Sequence, residues 1–169
     1  MDHRCGIALG SNLGDRLAHL KAARAALVNM SCTEAPIKQS AVYETLPVDC
    51  PPGSPAFLNA VLELTIAVSP IQFLLETQAI ETGLGRVRSD VHNEARILDI
   101  DLLYAGNEII GSETLSLPHP RLAERLFVLQ PLRDICPDMT LPGQSTSIAT
   151  LCNNLAASDE KVCLFADQW

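Results

Sequence analysis

Asp99 and Asp101 stand in the run Leu98-Asp99-Ile100-Asp101-Leu102, whose aliphatic residues make it the strongest strand candidate in the chain. The two-residue period of a strand sends both carboxylates to one face and Leu98, Ile100 and Leu102 to the other, toward a core. Two neighbouring carboxylates on one face repel and lose hydration, so they call for a compensating cation. Oxygen-only ligation by so sparse a pair suits Mg²⁺, which keeps waters and completes its shell with substrate phosphates. An exposed strand face, or an ion pair with Arg96, is the plainer alternative for an Asp-x-Asp pair taken alone. Arg86 and Arg88 in Gly85-Arg86-Val87-Arg88, and Arg96 three residues before Asp99, add forked donors for phosphate oxygens close by in sequence. Arginines beside metal carboxylates are what phosphoryl transfer uses, because its catalysis is mostly positioning and charge neutralisation. No GxxxxGK[ST] loop is present, and Gly83-Leu84-Gly85 is not a dinucleotide fingerprint. His119, held between Pro118 and Pro120, reads equally well as a preset polar contact or a structural residue.

The elements that must position these groups follow from pattern. Arg4 to Leu9 reads as a buried strand that breaks at Gly10-Ser11-Asn12, with Asn12 or Ser11 capping an amphipathic helix over Asp15 to Met30. Ile37 to Leu46 and Phe57 to Val68 read as strands joined by a long loop, since Pro47 to Pro55 holds four prolines and a glycine. Pro70 suits the first turn of a helix to about Thr82, closed by Gly83 and Gly85, and Asp90 to Ala95 reads as a loop. After the strand Ile97 to Tyr104, Ala105-Gly106-Asn107 suggests a hairpin into Glu108 to Ile110. Helices near Leu122 to Asp134 and Ser145 to Ala156, then a strand near Val162 to Phe165, complete the chain. The order is that of an α+β, ferredoxin-like split βαβ sandwich, an antiparallel sheet with helices on one face and everything after residue 110 as C-terminal additions.

A chain of 169 residues fits one domain, 1–169, and the 47% apolar and 19% charged fractions are ordinary for a globular protein. Aromatics are only 4%, so the core is expected to be aliphatic. A formal charge of -8 argues against nucleic acid as a partner, while a local arginine cluster still admits a small phosphate ligand. The N-terminus lacks a signal-peptide pattern and no apolar run is long enough to span a bilayer, so a cytoplasmic protein without membrane contact is expected. Six scattered cysteines without a CxxC pair fit reduced, mostly buried thiols.

Six segments in order resemble the 6-hydroxymethyl-7,8-dihydropterin pyrophosphokinase family. They are Ile7-Ala8-Leu9-Gly10-Ser11-Asn12-Leu13-Gly14-Asp15, Tyr43-Glu44-Thr45-Leu46-Pro47, Phe57-Leu58-Asn59-Ala60, Gly85-Arg86-Val87-Arg88, Arg96-Ile97-Leu98-Asp99-Ile100-Asp101, and Leu117-Pro118-His119-Pro120 with Arg125-Leu126-Phe127-Val128. The resemblance implies transfer of diphosphate from ATP to the pterin hydroxymethyl group in folate biosynthesis, giving AMP, with two Mg²⁺ ions. It implies Asp99 and Asp101 as metal ligands and Gln78, Glu81, Arg86, Arg88, Arg96, Ile100, Ser116, His119 and Arg125 at ATP, with Arg86 and Arg96 catalytic beside the aspartates. It places Thr45, Leu46, Val48, Phe57, Asn59 and Phe127 around the pterin, and other folate-pathway enzymes as possible partners. Where members often read Trp-Gly-Pro-Arg, this chain reads Asn93-Glu94-Ala95-Arg96, losing an aromatic and gaining a negative charge. A metal-dependent phosphohydrolase and a catalytically weak nucleotide- and pterin-binding module are the competing readings.

Overall fold

The computed structural model describes residues 2–47, 50–87, 95–156 and 160–169. Along the chain run β1 (His3–Ser11), α1 (Arg16–Val28), β2 (Thr33–Gln39), β3 (Val42–Thr45), β4 (Phe57–Ile66), α2 (Pro70–Gly83), β5 (Asp99–Ala105), β6 (Ile110–Gly111), β7 (Ser116–Leu117), α3 (Leu126–Ile135), α4 (Ile148–Leu155) and β8 (Val162–Ala166), with a 3-10 turn at Leu122–Glu124. The main sheet has the order β5-β1-β4-β3-β8, and β2 also pairs with β4. Every pairing in it is antiparallel, as expected when each helix returns the chain past one intervening strand.

β2 and β3 act as one long strand broken near Ser40, because both run along β4: Gln39 faces Leu62 and Tyr43 faces Asn59. Ser40 fills the gap, its amide bonding Val61 O at 2.9 Å and its hydroxyl accepting from Val61 N at 2.9 Å. α1 begins where Asp15 accepts from Ala18 N at 3.1 Å, so the cap is Asp15 rather than Asn12 or Ser11, whose side chains are committed elsewhere. α2 begins with Pro70 at its first position after Ser69, whose hydroxyl accepts from Gln72 N. Gly85, at φ +97, turns the chain away after its end, a conformation that side-chain-bearing residues avoid.

Alternation along β1 divides the core. Cys5, Ile7 and Leu9 pack with Leu20, Leu27, Phe73, Ile100 and Leu102 beneath α1 and α2. The opposite face carries Val61 and Tyr104 and is covered by α3 and α4 through Leu129, Leu132 and Ile148. Helices therefore cover both faces: α1 and α2 share one, as expected of the split βαβ unit, and the C-terminal additions α3 and α4 take the other. The expected hairpin out of β5 is absent: Ile110 pairs with Leu117 in a separate two-stranded sheet. That alternative is favoured because His119 N bonds Leu103 O at 2.7 Å, bringing the chain after Leu117 back along β5.

Candidate active site

Register assembles the site. Asp99 faces Gly10 on β1, Gly10 faces Asn59 on β4, and Asn59 faces Tyr43 on β3. The next row holds Asp101, Ala8 and Val61. Directly opposed residues of antiparallel strands share a face, so both carboxylates and the Asn59 amide lie on the α3 side at the open end of the sheet. Gly10 lies close beneath this face: a Cβ there would stand in ordinary contact, 3.4 Å from Asn59 Oδ1 and 3.9 Å from both Asp99 Cβ and a Phe57 ring carbon.

Above this floor lies a cavity of about 300 Å³. It gathers Arg86, Arg96, Asp99, Asp101, His119 and Arg125 at one side, and Thr45, Leu46, Phe57, Asn59 and Phe127 at the other. Gln78, Glu81, Ile100 and Ser116 do not line it. Glu81, buried on α2, accepts from Ile100 N at 2.7 Å and from Arg86, and so fastens β5 to the start of the arginine loop. Ser116 lines a second hollow of about 260 Å³ with Leu74, Thr114 and Leu115, and the two hollows share Asp101 and His119. Val48, Arg88 and the Asn93-Glu94 departure lie outside the described residues.

The electrostatics are those of a site waiting for charge. Asp99 accepts from Arg86 at 2.6 Å through Oδ1 and from Arg96 at 3.0 Å through Oδ2. Asp101, by contrast, is pushed up to about 7, first by burial and then by the Asp99 charge, with Arg125 only partly offsetting. The Arg96 Nε–H is buried and has no acceptor among the described residues. Burial, and then the like charge of Arg121, pull Arg125 below its ordinary value. His119 is lowered too, by burial and by Arg125 and Arg121, and its Nδ1 accepts from Arg121 N at 3.2 Å. A neutral His119 bonded in this way carries its proton on Nε2, which makes it a donor and not a base. On the other side Asn59 Nδ2 donates to Thr45 Oγ1 at 2.8 Å, with both residues buried, and Phe57 and Phe127 line the same cavity.

Sequence reasoning passed over three residues here. Arg121 and Cys50 line the cavity. Asn12 accepts from Arg96 N at 2.7 Å, donates to Pro55 O at 3.3 Å, and bonds Arg96 O through its own amide at 3.1 Å. The Gly10-Ser11-Asn12 break was the available signal for Asn12, since an amide at such a turn can serve two backbones as readily as one helix.

Paired carboxylates and four arginines share one cavity with Asn59, Thr45, Phe57 and Phe127 on an antiparallel α+β sandwich, the kind of site that phosphoryl transfer uses. Residues 6–137 match the family described as 7,8-dihydro-6-hydroxymethylpterin-pyrophosphokinase (HPPK). The chain belongs to that family, which places it among the pyrophosphokinases of folate biosynthesis. It is 43% identical over 136 residues to the 2-amino-4-hydroxy-6-hydroxymethyldihydropteridine pyrophosphokinase of Bacillus subtilis, covering 80% of each chain. To the enzyme of the same name in Haemophilus influenzae it is 41% identical, covering 81% of this chain and 84% of that one. A Pneumocystis carinii folic acid synthesis protein is 40% identical over 159 residues, 94% of this chain but only 21% of that much longer one. Among solved structures, a Plasmodium falciparum HPPK-DHPS superimposes with a TM-score of 0.74 at 15% identity, over 91% of this chain and 44% of that one, a likeness of fold. Among the described residues no helix is long and apolar enough to cross a membrane.

Proposed function

We propose that the chain, acting as one domain in the cytoplasm, transfers the diphosphoryl group of ATP to the hydroxymethyl oxygen of 6-hydroxymethyl-7,8-dihydropterin with two Mg²⁺ ions as cofactor. The observation that carries this reading is the sharing of one cavity by Asp99, Asp101 and four arginines on one side and the Asn59–Thr45 pair with two phenylalanines on the other. The donor set fits Mg²⁺: two carboxylates on one face, one of them held above its ordinary range by burial and by the other's charge. Asp99 and Asp101 would hold the metal. Bound there, Mg²⁺ supplies neutralisation of phosphate charge and acidification of a hydroxyl.

The chain's own groups do the rest. Arg86 and Arg96 both pair with Asp99, and phosphate oxygens would compete for these guanidinium groups and free the carboxylate. The unused Arg96 Nε–H and the crowded Arg121 and Arg125 gain most from a polyanion. His119 offers an Nε2–H to an oxygen, Ser116 in the adjoining hollow takes the nucleoside end, and Glu81 acts by holding Ile100 and Arg86 in place, with Gln78 and Arg88 assigned to the nucleotide by family resemblance. Asn59 and Thr45 read the polar edge of the pterin, with Phe57 and Phe127 against its ring and Leu46 on the same cavity wall, and Val48 is assigned to the pterin by family resemblance. The hydroxymethyl oxygen attacks the β-phosphorus, the bond from that phosphorus to the α-bridging oxygen breaks, AMP leaves, and the hydroxyl proton passes to solvent. Long relatives that carry the same region suggest association with other folate enzymes.

The test is an AMP-release assay with ATP, Mg²⁺ and the hydroxymethyl pterin. One AMP per pterin consumed supports the proposal. Phosphate release without pterin would point to a phosphohydrolase, and binding of both ligands without AMP to a silent binding module.

A further inference from the structure

We infer that Glu160, which lies beyond the span matched by the family, is a positioning residue that holds Arg125 and Phe127 in the cavity by capping the helix on which they stand. The inference rests on the reading of the cavity as a nucleotide and pterin site. α3 starts at Leu126 with Arg125 as its cap, and Arg125 makes no side-chain capping bond. The first amides of a helix have no partner within it, so something else must accept from them. Glu160 does: its Oε2 accepts from Leu126 N at 3.1 Å and its Oε1 from Phe127 N at 3.0 Å. Both oxygens are used, and a carboxylate at a helix N-terminus is also favoured by the aligned peptide dipoles.

This first turn needs outside support for a second reason. Pro131 lies inside the ten-residue helix and has no N–H to donate to the carbonyl of Phe127. Arg125 O accepts from Val128 N at 3.1 Å and from Leu129 N at 3.0 Å, whereas the Phe127 carbonyl in the same turn lacks its i+4 donor. Arg125 itself lies 5.5 Å from the centre of the Phe127 ring, in a place that burial and Arg121 make unfavourable for its charge. Two residues after Glu160, Val162 pairs with Thr45, the partner of Asn59. One segment after the matched span of 6–137 therefore braces both Phe127 and Thr45 of the cavity.

The experiment compares Glu160→Gln, Glu160→Ala and, as a control on an exposed acid of the neighbouring turn, Glu124→Ala. Each is examined well below its own melting temperature, by steady-state kinetics and by calorimetric binding of ATP with Mg²⁺ and of the hydroxymethyl pterin. Loss of a cap of this kind should raise the KM or Kd of Glu160→Ala by about five-fold or more, with kcat changed less. Glu160→Gln should recover part of that loss and Glu124→Ala should match the parent. A Glu160→Ala protein that melts earlier but binds both ligands as the parent does would overturn the inference, leaving the cap with stability alone. Because binding is measured apart from turnover, a parent that binds but makes no AMP would instead count against the proposed reaction.

Discussion

At the scale of single residues, Asp99 and Asp101 differ more than their shared face suggests. Asp99 is neutralised by two arginines, whereas Asp101 is desolvated beside it. Asp99→Ala and Asp101→Ala should each lower kcat by about 10²-fold or more while leaving the fold intact, as expected for groups that act on developing charge. Kinetics alongside circular dichroism check this, and near-parental turnover in either variant would remove that residue from the site. The same asymmetry sets a pH dependence in chelator. The folded protein holds the Asp101 proton up to about 7, while the unfolded chain releases it near 3.8. Between those values the native state binds more protons, so this group's contribution to stability falls as pH rises through that window. Urea unfolding of metal-free protein at pH 5 and pH 8 should show the fall in the parent and a flatter profile in Asp101→Asn; equal slopes would contradict it. These two residues were legible because the period of a strand is two. Arg121 was not, because nothing in its spacing marks an arginine that reaches a cavity through the turn after His119.

At the scale of elements, the strand face under α3 is built around small residues on β1. Gly6 faces Tyr104 and Glu63, and the Tyr104 ring lies over it so closely that a Cβ there would sit 2.2 Å from Tyr104 Cε1. That approach lets the Tyr104 hydroxyl reach across to Glu63 Oε2 at 2.6 Å, while Arg4 and Lys38 pair with the same carboxylate. Gly6→Ala should therefore cost about 1–3 kcal/mol, the range for overpacking a core, and Tyr104→Phe should cost about 1–3 kcal/mol by leaving a buried acceptor short of a partner. Urea denaturation of the single and double variants checks both, and a Gly6→Ala protein as stable as the parent would show that the ring yields freely. The order of β1 to β5 and their helices was legible from hydrophobic period and from Pro and Gly punctuation. The side chosen by α3 and α4 was not, because an apolar helix stripe says that a face is needed without saying which one. The false hairpin at Ala105 to Asn107 came from a real turn: Gly106, at φ +53, and Glu108 N bonding Ala105 O at 3.0 Å do reverse the chain, but the strand that follows finds its partner at Leu117.

At the scale of the whole molecule, layering sorts the six thiols by chemistry. Cys5, Cys32, Cys136 and Cys152 are buried, Cys50 is half-buried on the cavity wall, and Cys163 is exposed on β8. Burial pushes Cys5 up to about 12 and Cys136 to about 11, so neither forms appreciable thiolate near neutral pH. A disulfide reagent at pH 8 should modify Cys163 fastest, Cys50 more slowly, and the other four only after unfolding in denaturant. The ligand dependence carries more weight, because it links this sorting to the cavity. ATP with Mg²⁺ and the hydroxymethyl pterin should together slow modification of Cys50, which shares the cavity with Thr45, Leu46 and Phe57, and leave Cys163 unchanged. The fit is measured on the parent and on Cys50→Ser by counting released thiolate over time. Slowing of Cys163 instead of Cys50 would place the ligands outside this cavity, and loss of the protected phase in Cys50→Ser would assign that phase to the wall of the site.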